Sequence, residues 1–434
     1  MKPTHQLPYL GLLLFSLIPS QLCEICEVSE RVHVQLDPLL DTMIQPKYTS
    51  VTQSADVLLS LRLIGIQNQN QTIIEALSQQ VRNTVERRGL DLSSGQLALI
   101  ILALGACHTH DETFIFNQHL LGHLENKFKA ELENMEEYDG NPLTNYYQLS
   151  QDVLALCLFN RTYSTTTVAK LFAPENKNYY LGGQFSVDTG AMAVLALTCV
   201  SRSLKEQPKA QEEDLESIEN HIRSLVKMIL SEKKENGLIG NMFSTGAAMQ
   251  ALFVSSEYYS ESEWNCQETR NTILSEISQG AFNIPAAAAQ ILPPLLGKTY
   301  LDVTKDSPCT YASGNSPLSI PVRTTVTPTY SPSLISVHYS VKINKTYSID
   351  VTVPSGSVFL DVMKEAQKEN GTLFRFTVEQ EEWGPYITSV QGLTANNNDR
   401  TYWQLLSGGK PLSQGVGSYA VHNGDNLEVL WSKY

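Results

Sequence analysis

The sequence is poor in basic residues. Its 31 lysines and arginines stand against 45 aspartates and glutamates, so the formal net charge is −14. A chain with this excess of negative charge repels phosphate backbones and anionic lipid, which excludes nucleic acids and membrane surfaces as expected partners. The composition, 42% hydrophobic and 18% charged, is otherwise typical of a folded globular protein.

Long apolar runs are also lacking beyond the N-terminus, so we expect no membrane anchor. At the start, Lys2 precedes the mostly apolar stretch Leu7–Ile18, and Ser20–Cys23 offers a cleavage point. This pattern is typical of a secretory signal peptide, assigned to residues 1–23. The glycosylation sequons fit an extracellular location, and they lie at Asn70, Asn160, Asn344 and Asn370. We therefore predict a secreted, soluble glycoprotein.

Catalytic motifs are missing as well, since the chain has no nucleophile elbow, phosphate loop or dinucleotide fingerprint. His108–Glu112 has metal-binding residue types but no partner motif, and His119 and His123 lack the glutamate of the metalloproteases, so polar surface segments are the simpler interpretation. Asp188 is the one acid in an apolar segment, whereas a glycosidase needs two facing carboxylates. We expect no enzyme, no catalytic cofactor and no metal held by protein side chains.

Seven cysteines are an odd number for a secreted chain. Cleavage just after Cys23 would leave six, at Cys26, Cys107, Cys157, Cys199, Cys266 and Cys309. Six cysteines allow 15 pairings, which counting alone cannot separate. Two of them, Cys157 and Cys199, each follow a Leu-Ala-Leu triplet at the end of an apolar segment, so we expect this pair to lie close in space.

The first two-thirds of the chain carries a loose repeat. Leu-Ala-Leu recurs at 102–104, 154–156 and 195–197, and Gln250–Leu252 is related to it. Each copy lies in a segment that is apolar nearly all round, and such a helix must be covered on all sides. Amphipathic stretches lie between them, including Phe114–Leu132 and Ile218–Ile229. The alternation predicts helical hairpins that close into an α/α toroid over residues 24–309.

A Thr/Ser/Pro-rich stretch, residues 310–333, is typical of an extended linker. Beyond it, alternation of apolar and polar residues predicts two strands over 335–343 and 347–353. Ser357 is a candidate N-cap for a helix over Val358–Lys368. Further strands are predicted at Leu373–Val378, Tyr386–Val390, Thr401–Leu405 and Leu427–Ser432. Residues 334–434 should therefore form a small β-rich α+β domain, which makes the whole chain an α+β multidomain protein.

Uncharged polar residues mark the starts of the apolar segments. If the inner helices run parallel, these residues gather at one end of the ring, where the positive helix termini also point. Capping would explain Asp188, Asn241 and Ser244, but glutamine is a poor N-cap. A rim of amides and tyrosines suits a large neutral ligand that carries many amides. The candidate residues are Gln96, Asn145, Tyr146, Tyr147, Gln148, Asp188, Asn241, Ser244 and Gln290.

Several of these segments resemble the cobalamin carriers, the family of transcobalamin, intrinsic factor and haptocorrin. The likeness covers nearly the whole mature chain, and its motifs occur in the family's order. The N-terminal Cys23–Ser29 and the C-terminal Trp431–Tyr434 are most similar to the haptocorrin branch. The internal motifs are Ser94–Leu99, Tyr146–Gln148, Val187–Ala193, Asn236–Asn241, Ser244–Gly246, Ala289–Pro293, Glu382–Gly384, Thr401–Gln404 and Leu406–Gly408.

The resemblance implies an α6/α6 barrel, a small β-rich domain, and cobalamin bound between them. It adds Thr144 to the barrel contacts named above. In the small domain the implied contacts are Trp383, Gly384, Pro385, Tyr386, Trp403, Gln404 and Leu405. Aromatic and aliphatic side chains would cover the edge of the flat corrin. Trp383 and Trp403 as plain core residues remain the alternative.

Two departures from the family's pattern bear on chemistry. Transcobalamin has a histidine able to coordinate cobalt where Phe185 stands here, so we expect no protein ligand on the metal. Haptocorrin tends to have a cysteine pair where Ser389 and Thr394 stand, so that bridge is missing.

The leading hypothesis is a secreted, monomeric carrier of cobalamin and its analogues, a bound ligand rather than a catalytic cofactor, with a cell-surface uptake receptor as a further partner. An intrinsic factor- or transcobalamin-type carrier is the alternative within the family. An α/α-barrel glycan-processing enzyme is the alternative from another class. The linker shows no strong apolar pattern, so we expect little besides the ligand to hold the two domains together.

The resemblance implies the disulfides Cys26–Cys266, Cys107–Cys309 and Cys157–Cys199. The Cys157–Cys199 bridge closes a loop in the chain, and this closure should stabilise the fold by about 4 kcal/mol in the chain-entropy model. Peptide mapping without reduction should find these three bridges, and Cys157 joined to any other cysteine would reject the scheme.

Overall fold

The computed structural model describes residues 30–44, 51–65, 71–88, 91–106, 113–115, 118–181, 183–206, 212–303, 333–381, 384–412 and 414–433. The buried side chains fall into two separate hydrophobic cores. The first extends from Leu36 to Val303 and the second from Val337 to Val429. The predicted linker lies almost wholly outside the described residues.

The first core is built by helices that alternate between two layers. Their bounds are α1 Glu30–Met43, α2 Val51–Ile64, α3 Gln71–Arg88, α4 Ser94–Gly105, α5 Leu120–Glu137, α6 Tyr146–Leu158, α7 Thr165–Leu171, α8 Val187–Lys205, α9 Glu212–Ser231, α10 Ser244–Val254, α11 Cys266–Ser278 and α12 Pro285–Leu295.

The even-numbered helices form a closed inner ring. Around it, α2 packs on α4, α4 on α6, α6 on α8, α8 on α10, α10 on α12, and α12 returns to α2. Every residue of α2 is buried, and in α4 every residue except Gln96. The odd-numbered helices pack outside; α9, for example, buries only the stripe from Ile218 to Ile229. The predicted α6/α6 barrel is confirmed, because helices without a polar face are enclosed by one another and by an amphipathic outer layer.

The Leu-Ala-Leu triplets lie in the inner helices α4, α6 and α8. A disulfide joins Cys157 near the end of α6 to Cys199 in α8, with their Cα atoms 6.2 Å apart. Cys266 is disulfide-bonded as well; the predicted partner Cys26 and the Cys107–Cys309 pair lie outside the described residues.

One expectation about apolar runs is wrong. Helix α8 is long and apolar enough to cross a membrane by length and composition, yet most of it is buried as an inner barrel helix. Its hydrophobicity is explained by its place in the ring.

The second core lies between a five-stranded sheet, a three-stranded sheet and the helix α13, Phe359–Glu369. The barrel carries the short hairpin β1 Tyr180–Leu181 and β2 Gln184–Phe185. The strands of the small domain are β3 Leu334–Lys342, β4 Thr346–Pro354, β5 Phe376–Glu381, β6 Gly384–Val390, β7 Leu393–Thr394, β8 Thr401–Ser407, β9 Lys410–Pro411 and β10 Asn426–Lys433. The larger sheet has the order β4-β3-β10-β8-β9, in which β3 and β10 are parallel and the other neighbours antiparallel, and the smaller has the order β5-β6-β7.

The alternating pattern predicted this domain well. Val337, Tyr339 and Val341 of β3 are fully buried, and α13 packs on β3 and β4. Ser357 is not the N-cap: the helix begins one residue later, where the Val358 amide donates to the Asp361 carboxylate at 3.1 Å.

The glycosylation sequons lie on the surface where they are described. Asn160 and Asn344 are exposed, and Asn370 is half-buried. Asn70 lies outside the described residues.

Inside the barrel, Asp152 is a fully buried acid of the inner helix α6, so Asp188 is not the one acid in an apolar segment. Neither carboxylate oxygen of Asp152 accepts a hydrogen bond from a described residue, and the nearby Ser94 hydroxyl donates to Glu131 instead. Burial raises the pKa of Asp152 well above its usual value, and the Glu131 carboxylate raises it further. The folded chain therefore holds this proton more tightly than the unfolded chain does.

The substitution Asp152→Asn should raise the free energy of unfolding at pH 7, because the folded chain no longer has to bury an ionisable carboxyl group. The gain should shrink as the pH falls toward the ordinary aspartate pKa of about 4, because below that value both states carry the proton. Chemical denaturation between pH 4 and pH 8 measures this. Asp91→Asn, at an exposed position, is the control and should change little; a pH-independent effect of Asp152→Asn would contradict the explanation.

Candidate functional site

The candidate residues of α4 and α6 meet at the rim where both helices begin. The Ser93 hydroxyl accepts from the Gln96 amide at 3.2 Å, and Gln96 Oε1 accepts from the Ser93 amide at 3.1 Å. The same hydroxyl donates to Gln148 Oε1 at 2.7 Å. Capping therefore does explain Gln96, contrary to the sequence argument, because glutamine suits the third helical position of a capping box although it is a poor N-cap.

Glu131 of the outer helix α5 holds this rim from beneath. Its buried carboxylate accepts from the Ser94 hydroxyl at 2.9 Å, from the Thr144 amide at 3.1 Å and from the Thr144 hydroxyl at 2.8 Å. Asn145 follows as the N-cap of α6, with Oδ1 accepting from the Gln148 amide at 2.9 Å. One carboxylate thus fixes the starts of two neighbouring inner helices. No local pattern marks Glu131, because it lies in a charged amphipathic stretch.

The two tyrosines after Asn145 are buried. Tyr146 is 1% exposed, and its hydroxyl donates to the Leu171 carbonyl at 2.7 Å and accepts from the Asn176 amide at 2.6 Å. Its ring lies edge-on to Tyr179, with centroids 5.5 Å apart. Tyr147 is 9% exposed. Tyr146 therefore supports the rim from inside the core rather than presenting its ring at the surface.

A second corner is formed where α8 and α10 begin. Ser186, rather than Asp188, is the N-cap of α8. Asp188 Oδ2 accepts from the Ser244 hydroxyl at 2.7 Å, and burial raises the pKa of Asp188 while this hydrogen bond lowers it. Asn241 Oδ1 accepts from the Ser244 amide at 3.0 Å, so it closes the start of α10. The structure thus brings Asp188, Asn241 and Ser244 together.

Gln290 lies in α12, next to α10 in the ring, and its backbone carbonyl packs near Gly246. The side-chain carboxamides around the rim share one feature. Where the carboxamide oxygen accepts a hydrogen bond, the donor lies at the start of an inner helix, and the NH₂ group donates to no residue that the structure describes. This holds for Asn145, Gln148, Asn241 and Gln290. Such half-used carboxamides leave a set of donors at one end of the barrel.

The small-domain candidates are divided between two environments. Tyr386 in β6 is 43% exposed, whereas Gly384 and Pro385 are half-buried. Gly384 has φ +101°, a conformation that favours glycine. Trp383 lies outside the described residues.

The three consecutive candidates of β8 do not share a face. Trp403 is 5% exposed and belongs to the second core, where its ring centroid lies 4.7 Å from that of Trp431. Leu405 packs against the same core, whereas Gln404 points to the opposite face and accepts from the Ser432 hydroxyl at 3.1 Å. This follows from the period of two along a strand. Trp403 is therefore buried in the core of the small domain, and its role as a ligand contact stays a prediction.

The two domains meet directly at residues that the sequence argument did not single out. Asn397, Asn398 and Arg400, in the loop before β8, make hydrogen bonds to the barrel. Asn397 Nδ2 donates to the Thr144 carbonyl at 2.6 Å, so the small domain touches the peptide that leads into α6. The run of asparagines before an Asp-Arg pair is the one sequence signal that marks this loop.

Phe185, at the position of the transcobalamin histidine, is 9% exposed and packs against Gly190, where a Cβ would lie 2.4 Å from the phenyl ring. Among the described residues, no three His, Cys, Asp or Glu side chains gather as a metal site. The predicted polar segment His108–Glu112 lies outside the described residues.

A family model described as a eukaryotic cobalamin-binding protein matches residues 8–329. The chain belongs to the eukaryotic cobalamin-binding protein family. A second model, a domain of unknown function, matches residues 356–433. The cobalamin-binding match covers the barrel and its amide rim, and the second covers most of the small domain.

Relatives extend the match over both domains. The chain is 64% identical to human transcobalamin-1 over 100% of both chains, and 35% identical to human cobalamin binding intrinsic factor over 92% of both. It is also similar to a crystal structure of haptocorrin in complex with Cbi, with a TM-score of 0.86 and 62% identity, covering 95% of this chain and 100% of that one. The likeness to the haptocorrin branch is therefore confirmed.

A substitution at Gly95 measures how closely α4 packs against Gln148 at the rim of this cobalamin-binding protein. A Cβ at Gly95 would lie 2.5 Å from Gln148 Cγ and 2.6 Å from Gln148 Cβ. Gly95→Ala should therefore destabilise the fold by about 1–3 kcal/mol, although alanine is the better helix former. Gly122→Ala is the matched control in α5, because nothing lies within 4 Å of a Cβ there; it should stabilise by up to about 1 kcal/mol. Thermal unfolding of both variants measures this, and equal shifts would contradict a fitted rim.

Proposed function

We propose that this chain is a secreted carrier that binds cobalamin and corrinoid analogues with high affinity, between the amide rim of the barrel and the small domain. The observation that carries the proposal is the set of carboxamides at the rim, whose NH₂ groups donate to no described residue. The family match and the likeness to haptocorrin in complex with Cbi support the same conclusion.

The chemistry of a corrinoid fits such a rim. Its macrocycle is flat and carries peripheral carboxamides, each with a carbonyl acceptor and an NH₂ donor. The donors of Asn145, Gln148, Asn241 and Gln290 complement the carbonyls. Asp188 keeps one carboxylate oxygen beyond the one that accepts from Ser244, and that oxygen can accept from a ligand amide. The positive ends of the inner helices add a favourable field for polar groups of the ligand.

The small domain supplies the other side of the proposed site. Among the described residues, Tyr386 is an aromatic candidate whose side chain is exposed. Trp383 remains a proposed contact. Gln404 offers a half-buried amide, whereas Trp403 and Leu405 support β8 from within the core. Thr144 and Tyr146 act on the barrel side by holding Asn145 and Gln148 in place.

Phe185 cannot donate an electron pair to cobalt, so we expect the corrin to keep the axial group with which it arrives. The enzyme alternative has no support, because the relatives are carriers and binding proteins by name. A monomeric state, an extracellular location and uptake through a cell-surface receptor are part of the proposal. The intrinsic factor alternative is weaker, since identity to that protein is 35% against 64% for transcobalamin-1.

Purified secreted protein should be red, with a corrinoid absorption spectrum, or become so on addition of cobalamin. In competition binding, cobinamide, which lacks the nucleotide, should bind within a few powers of ten of cobalamin. The reason is that the proposed contacts face the macrocycle and its amides, and rejection of an analogue needs a clash or an unpaired buried polar group.

Two results would contradict the proposal at different levels. Failure to bind any corrinoid would remove the function itself. Loss of cobinamide binding by six or more decades, about 8 kcal/mol, would mean that the nucleotide is recognised directly. Gly95→Ala should weaken corrinoid binding and Gly122→Ala should not, which ties the affinity to the rim.

A further inference from the structure

Among the residues that the structure describes, a short segment of the small domain, the Asn396–Arg400 loop that precedes β8, makes hydrogen bonds directly to the barrel. Asn397 Nδ2 donates to the Leu143 carbonyl at 3.0 Å and to the Thr144 carbonyl at 2.6 Å. The Thr144 amide and hydroxyl are bound to Glu131. The same peptide segment is thus held from below by the barrel and from above by the small domain.

Asn398 reaches the end of α5. Its Oδ1 accepts from Asn134 Nδ2 at 2.9 Å, and its carbonyl accepts from Asn141 Nδ2 at 3.0 Å. Asn134 Nδ2 also donates to the Asn141 carbonyl, so the barrel side is held in place before the loop arrives.

Arg400 reaches a second barrel loop. Its guanidinium donates to Asn178 Oδ1 at 2.8 Å, to the Lys177 carbonyl at 3.2 Å and to the Tyr180 carbonyl at 3.4 Å. Asn178 in turn donates to the Gly140 carbonyl at 2.8 Å, which ties the two barrel loops together. The loop's side chains mostly donate and the barrel mostly offers carbonyl acceptors, so the two surfaces are complementary.

The loop is also ordered by its own hydrogen bonds. The Asn398 amide donates to Asn396 Oδ1 at 2.8 Å, the Arg400 amide to the Asn397 carbonyl at 3.0 Å, and the Thr401 amide to the Asn396 carbonyl at 3.0 Å. A loop fixed in this way loses little conformational entropy when it docks.

We propose that the Asn396–Arg400 loop is a docking element that fastens the small domain to the barrel rim without the ligand's help. This inference rests on the proposed function, and it revises the expectation that little besides the ligand holds the domains together. These hydrogen bonds are exposed or partly buried, and each contributes little net stability, so the docking is reversible. The linker keeps the two surfaces at high effective concentration, so weak contacts are enough to favour the closed arrangement.

Docking at this point sets the register of the ligand site. Arg400 is followed directly by β8, and Gln404 lies four residues beyond it. The loop therefore places the small-domain face above the starts of α4 and α6. A bound corrinoid can leave only after the two domains separate, and the docked loop slows that separation.

The test uses the full-length chain carrying Asn397→Ala, Arg400→Ala, Asn178→Ala, or the last two together. Cobinamide is loaded, and its release is followed with an excess of cobalamin as chase. Each single variant should release it about 3- to 30-fold faster, since each loses one or more hydrogen bonds. The Asn178→Ala/Arg400→Ala pair should lose less than the product of the single effects, because the two residues share a contact. Arg223→Ala is the matched control, since Arg223 bonds to Asn220 within the barrel at 2.6 Å.

Hydrogen–deuterium exchange of the ligand-free chain gives a readout that does not depend on corrinoid binding. Residues 138–145 and 176–181 should exchange faster in Arg400→Ala than in the parent, and not in Arg223→Ala. Unchanged exchange together with unchanged release would overturn the docking role. If the parent chain bound no corrinoid, the proposed function would fail while the exchange comparison still decided the role of the loop.

Discussion

The closure of the inner ring is the constraint on which the rest of the barrel depends. Six helices without a polar face can be buried only by one another and by an outer layer, and the contact of α12 with α2 completes the enclosure. Interiors of this kind are densely packed, so the helices have little freedom to shift. At Gly95, one added carbon would overlap the side chain of Gln148, which shows how close the neighbouring helices α4 and α6 come.

Burial of the helices creates a second requirement at their N-terminal ends. The first amides of each helix need acceptors, and the chain provides them through Ser93, Asn145, Ser186 and Asn241. Where the acceptor is a carboxamide oxygen, the attached NH₂ group is left over. The rim residues that accept hydrogen bonds from the helix starts therefore also supply the donors proposed to bind the corrinoid. Stability and the proposed recognition depend on the same residues.

The small domain is fixed by a different kind of interaction. Among the described residues, it is joined to the barrel by hydrogen bonds from asparagines and an arginine, and the two hydrophobic cores are separate. Such contacts can break and re-form, whereas the two cores cannot. This difference suits the proposed entry of a corrinoid between the domains, because opening requires no loss of either core.

The two-domain α+β architecture could be predicted from the pattern of the sequence alone. Segments apolar all round and strands of period two leave few ways to bury their side chains. The contacts of the individual rim residues form only in the folded chain. Gln96 became part of a capping box, Tyr146 turned into the core, and Trp403 and Gln404 were sent to opposite faces of β8. Glu131 and Arg400 gained their roles from partners distant in the chain, at Thr144 and Asn178. Periodicity reports which side of an element faces water, but a hydrogen bond depends on which atoms folding brings within 3 Å, and neighbours in space leave no local pattern in the chain.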